Sequence, residues 1–137
     1  MEGECLCKAV RVKVNDDNLF GDQRRGHLCH CASCRKVAGG PFGANLIIEE
    51  EKVEFPKGKD NLRVYEDPET LSGTPVQRYF CQTCGVPIMS MTPLLKGKIV
   101  LKLGIYAKLP VPEWESFASR RQAWEKPVEG AVQYKTK

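Results

Sequence analysis

Histidine is scarce in this 137-residue chain, with only two, and no Ser-His-Asp set, phosphate-binding glycine loop or dinucleotide fingerprint occurs. That excludes the common hydrolase and nucleotide chemistries and leaves a metal as the expected catalyst of any reaction. Long apolar runs are also missing. The longest, from Ile99 to Ala107, is interrupted by Lys102 and is too short to span a bilayer. The opening Met1-Glu2-Gly3-Glu4-Cys5 has no apolar h-region, so no signal peptide is expected. There is no repeat, linker or low-complexity segment, and a chain of this length reads as one domain, residues 1–137.

What the chain has is cysteine. Seven occur, an odd number that cannot all pair within one chain. Cysteine clusters in a chain without a leader point to a reducing, cytoplasmic location and to metal binding rather than disulfides. The central run Cys29-His30-Cys31-Ala32-Ser33-Cys34-Arg35 brings three thiols within six residues. Three soft ligands suit zinc and leave its fourth tetrahedral position for water or substrate. Cys5-x-Cys7 and Cys81-x-x-Cys84 supply four more thiols, a complete and closed set for a second zinc. The alternative for the three-cysteine run is a closed structural site with His27 or His30 as fourth ligand. His30, between two ligating cysteines, is expected to point away, and His27 is less constrained.

The formal charge is +4 with thiols counted as neutral. Seven thiolates and two Zn²⁺ shift it by roughly −3, which removes most of the composition-level case for a nucleic-acid partner. Arg35 and Lys36 follow the cluster directly and are candidate contacts for an acidic ligand. Gly40 would admit a ligand close to the backbone, and Phe42 is a candidate pocket wall. Tyr79, His27 and His30 are the candidate proton donors.

Period-two alternation in Ala9–Val14 predicts a half-buried strand. Further strands are expected at Phe42–Glu49, Val53–Phe55, Leu62–Tyr65, Val76–Phe80, Val86–Met91 and Lys98–Ile105. Asn15–Asn18 reads as a turn, and Gly21–Gly26 and Glu66–Pro75 as polar loops. One helical turn is expected within Arg35–Pro41. The last thirty residues read as irregular, or as a short helix around Trp114–Ala118. Many short strands separated by turns predict a mainly β, antiparallel domain.

Four blocks together carry a resemblance. They are Gly3-x-Cys5-x-Cys7 with Ala9-Val10-Arg11, Cys29-His30-Cys31-x-x-Cys34-Arg35, Gly40-Pro41-Phe42-Gly43-Ala44, and Arg78-x-Phe80-Cys81-x-x-Cys84-Gly85. This pattern, from Gly3 to about Gly104 with an echo at Trp124, resembles the glutathione-dependent formaldehyde-activating enzyme family, which includes centromere protein V. The resemblance implies a β-tent fold pinned by zinc. It also implies a structural zinc on Cys5, Cys7, Cys81 and Cys84 and a more labile one on Cys29, Cys31 and Cys34. The implied activity is a carbon–sulfur lyase acting on a thiol or thiol adduct such as S-hydroxymethylglutathione. A non-catalytic zinc module that binds a protein or nucleic acid is the alternative.

Overall fold

The computed structural model describes residues 1–137. In chain order its elements are Glu2–Glu4 (β1), Arg11–Val14 (β2), Gly26–Cys29 (β3), Ala32–Ala38 (α1), Gly43–Glu49 (β4), Val53–Lys57 (β5), Leu62–Asp67 (β6), Val76–Cys81 (β7), Pro87–Met91 (β8), Lys98–Lys102 (β9), Pro112–Ser116 (β10) and Val132–Gln133 (β11). Two sheets form: a small one in the order β1-β2-β5, and a large one in the order β11-β10-β3-β4-β9-β8-β7-β6. No helix is long and apolar enough to cross a membrane.

The mainly β, tent-like architecture follows from side-chain alternation. In β2, Arg11 and Lys13 face solvent while Val12 and Val14 are buried. In the large sheet, Leu46 pairs with Leu101 and Ile48 with Ile99, all four almost fully buried. Each contributes about 1.5–3 kcal/mol of burial free energy, so register is strongly specified. A core of Val10, Val12, Val14, Leu46, Ile48, Ile88, Ile99, Leu101 and Leu103 lies on this face. The alternate residues of the same strands, among them Asn45 and Lys102, necessarily occupy the opposite face, where the candidate site lies.

Three expectations are corrected. Trp114–Ala118 is not a helix: Pro112–Ser116 is a strand, paired in parallel with β3, so the large sheet is mixed rather than wholly antiparallel. Gly26 is not part of a polar loop but opens β3, whose four residues are all buried and so show no alternation. The strand expected to reach Ile105 ends at Lys102 and passes into a 3-10 turn over Leu103–Ile105.

Candidate metal centres and cavity

Four sulfurs meet where the small sheet adjoins the β7–β8 hairpin. Cys5 and Cys7 lie on the turn after β1, Cys81 ends β7, and Cys84 lies in the turn that follows. All four Sγ atoms lie within 4.8 Å of one another, with Cys5 to Cys7 at 3.6 Å and Cys7 to Cys81 at 3.7 Å. The Val10 backbone N–H and the Asn61 side-chain amide each donate at 3.3 Å, to Cys5 Sγ and Cys81 Sγ respectively. Such donors stabilise thiolates. Gly85 adopts a left-handed conformation (φ 76°), and its N–H reaches the Cys81 carbonyl at 2.8 Å, closing the turn that aims Cys84 inward.

The second cluster forms on the opposite face of the large sheet. Cys29 ends β3, Cys31 caps α1 and Cys34 lies in its first turn, their three sulfurs again within 4.8 Å. The Cys34 N–H donates to Cys31 Sγ at 3.3 Å, so the Cys31 sulfur is itself the helix cap. Hydrogen bonds from the Cys29 and Cys34 thiols, and then from backbone N–H groups, hold the Cys31 thiol far below its ordinary pKa. Sharing of the same protons pushes Cys29 up. Gly43 permits this placement, because a Cβ there would stand 3.1 Å from Cys34 Cβ.

Neither histidine joins the three sulfurs within that distance. His30 is turned away into the interior, with Nε2 at 2.8 Å from Glu115 Oε1. His27 stacks on Trp114 with ring centroids 5.1 Å apart. Burial, and then the Lys102 cation, push the His27 pKa down to about 4, so its ring is neutral near pH 7. Tyr79 donates to Gln77 at 3.3 Å and packs against the hydrophobic core.

Beside Cys34 opens a cavity of about 310 Å³, walled by Val37, Phe42, Val86, Pro87 and Ile105 with Asn45 and Lys102 as its polar groups. Phe42 thus lines the cavity rather than the core. Arg35, Lys36 and Gly40 lie outside the lining. The cation that reaches the cavity is Lys102, whose ammonium donates to Asn45 Oδ1 at 2.9 Å. Burial lowers its pKa while the charge of Cys34 counters that shift. In the sequence Lys102 stands out only as an interruption of an apolar run. The available signal was its phase: Lys98, Val100 and Lys102 share the face opposite Ile99 and Leu101.

The fold and the two sulfur clusters define a β-tent domain able to hold metal at two places. The family described as glutathione-dependent formaldehyde-activating enzyme matches residues 1–126, and this chain belongs to that family. A Halomonas elongata protein assigned by name to the same enzyme is 28% identical over 93 residues, covering 68% of this chain and 57% of its own length. An uncharacterized lyase of Schizosaccharomyces pombe is 29% identical over 87 residues, covering 64% of this chain and 54% of its own. The chain thus spans about half the length of these curated relatives. A crystal structure of a Rhodobacter sphaeroides protein superposes with a TM-score of 0.58 at 24% identity, covering 82% of this chain and 98% of that one, a likeness of fold.

Proposed function

We propose that this protein is a zinc-dependent carbon–sulfur lyase that makes or breaks the bond between a small thiol such as glutathione and a carbonyl-derived carbon. One observation carries the reading: three sulfurs converge with no fourth side-chain ligand, beside a largely apolar cavity. Zinc fits the donor sets, since four sulfurs at zinc–sulfur distances of about 2.3 Å stand roughly 3.8 Å apart, close to the spacing of Cys5, Cys7 and Cys81. In this reading two zinc ions bind per chain, a structural one on Cys5, Cys7, Cys81 and Cys84 and a reactive one on Cys29, Cys31 and Cys34. Bound there, zinc would supply Lewis acidity and a soft seat for a thiolate.

The chain's own residues shape the rest. With zinc bound, three cysteine thiolates and a substrate thiolate would outweigh its charge, and the Lys102 ammonium would offset that excess in a setting of reduced dielectric. Asn45 fixes the ammonium through its Oδ1. Val37, Phe42 and Ile105 exclude water from the adduct, which favours exchange of thiol over hydrolysis. The family membership and the lyase-named relative support a reaction of this class.

The test is the rate at which an aldehyde and a thiol interconvert with their adduct, followed by exchange NMR with formaldehyde and glutathione and with simpler pairs. Zinc-loaded protein should accelerate exchange, and Cys34→Ser should abolish the acceleration. No acceleration with any pair would overturn the lyase reading in favour of a non-catalytic zinc module.

A further inference from the structure

The face of the large sheet that carries Lys102 continues beyond the cavity. Register places Val100 opposite Ser90, Ser90 opposite Arg78 and Arg78 opposite Tyr65. Ser90, Arg78 and Tyr65 therefore form one row across three strands, a single pleat repeat from Lys102. A second cavity of about 180 Å³ is lined by Tyr65, Arg78, Ser90 and Lys102 and shares Val37, Pro87 and Lys102 with the first.

Two features of this second cavity are unexplained by folding alone. Ser90 is only 3% exposed, and its hydroxyl has no hydrogen-bond partner. Leaving a buried hydroxyl unmatched costs about 1–3 kcal/mol. Two cations also face the cavity, and of the two only Arg78 has a carboxylate partner. Asp67 pairs with Arg78 Nε at 2.7 Å, whereas Lys102 has only the neutral Asn45 carbonyl oxygen. A small space holding an unused hydroxyl and a cation without a carboxylate partner matches a ligand with one negative charge and several acceptor atoms.

We propose that this second cavity is a carboxylate subsite, in which Ser90 Oγ and Lys102 Nζ donate to a carboxylate carried by the substrate and Arg78 adds its charge. The inference rests on the reading of the three-cysteine cluster as a thiol site. It adds that the preferred thiol or adduct is one whose carboxylate lies a short aliphatic chain away from sulfur. Substrate then spans both cavities, with sulfur beside Cys34, carbon along Val37 and Pro87, and carboxylate beyond Lys102. The competing account makes Lys102 a counter-ion of the cysteine sulfurs and nothing more, and it gives Ser90 no role.

Cobalt(II)-loaded protein, titrated with 3-mercaptopropionate and with the neutral 3-mercaptopropan-1-ol, separates these accounts through its ligand-field spectrum. The carboxylate thiol should bind about tenfold more tightly, as expected for hydrogen bonds to a charged group. Ser90→Ala should remove most of that preference while leaving the neutral thiol's affinity unchanged. Acetate should compete with the carboxylate thiol only. Equal binding of the two thiols would overturn the subsite and leave the thiol reading intact. So would an inert Ser90→Ala together with equal loss of both thiols in Lys102→Met. A spectrum unmoved by either thiol would remove the thiol reading and the subsite with it.

Discussion

His30 stands between two cysteines of the three-cysteine cluster, yet its Nε2 meets Glu115 Oε1 at 2.8 Å across 85 residues of chain. The Glu115 carboxylate also accepts from the Val128 backbone N–H at 2.8 Å and the Gln133 side-chain amide at 2.7 Å, with Arg121 at 3.3 Å. The C-terminal segment thereby braces the β3–α1 junction that carries Cys29 and Cys31.

This brace has a pH signature. Burial opposes ionisation of Glu115, but donors from Gln133, His30 and Val128, with the charge of Arg121, outweigh it and hold its pKa at about 2. A carboxyl depressed in the folded state contributes stability that is full above its unfolded value and is lost as pH falls toward the folded one. Glu115→Gln should cost about 2 kcal/mol near neutral pH. In urea denaturation the gap between wild type and variant should narrow as pH drops from about 4.5 toward 2. A gap that stays constant with pH would show that the carboxylate charge contributes nothing.

The two sulfur clusters should differ in what they hold together. Cys5 and Cys7 are joined to Cys81 and Cys84 across more than 70 residues, whereas Cys34 lies on a seven-residue surface helix. Structural zinc is worth about 10–16 kcal/mol in small metal-folded peptides. Cys81→Ser should therefore abolish soluble folding, and Cys34→Ser should leave a folded, inactive protein by circular dichroism. Equal collapse of both would assign a structural role to each cluster.

Metal content follows from the same division. Elemental analysis of reduced, metal-replete protein should approach two zinc ions per chain. Chelator should remove one of them first, and that loss should track the activity. A reproducible content of one would eliminate the second site.

Gly43 offers a more selective perturbation. A Cβ there would stand 3.1 Å from Cys34 Cβ and 3.4 Å from Asn45 Nδ2, so Gly43→Ala must press α1 away from β4. The three-cysteine cluster should lose metal affinity by about tenfold, the usual cost of disturbing the support of a ligand. Loss from the four-cysteine cluster should be unchanged, as followed by chelator competition with a chromogenic indicator.

Local pattern was enough for most strands and for both sulfur clusters. Alternation in Arg11–Val14 and in Lys98–Lys102 is set by which residues face the core, and short Cys-x-Cys and Cys-x-x-Cys spacings bring sulfurs together almost regardless of what surrounds them. Gly26–Cys29 and Pro112–Ser116 were not legible as paired strands, because they satisfy each other. Trp114 covers His27, and buried Glu115 reads as a surface residue until His30, Gln133 and the Val128 N–H surround it. The polar side of the site was hidden for the same reason. Arg35 and Lys36 adjoin the cysteines in sequence but not the cavity, whereas Lys102 reaches it from a strand paired with Asn45. Short spacings along the chain determined which cysteines stand together in each pair or triplet; sheet register, a long-range property, decided which charges and hydroxyls face them.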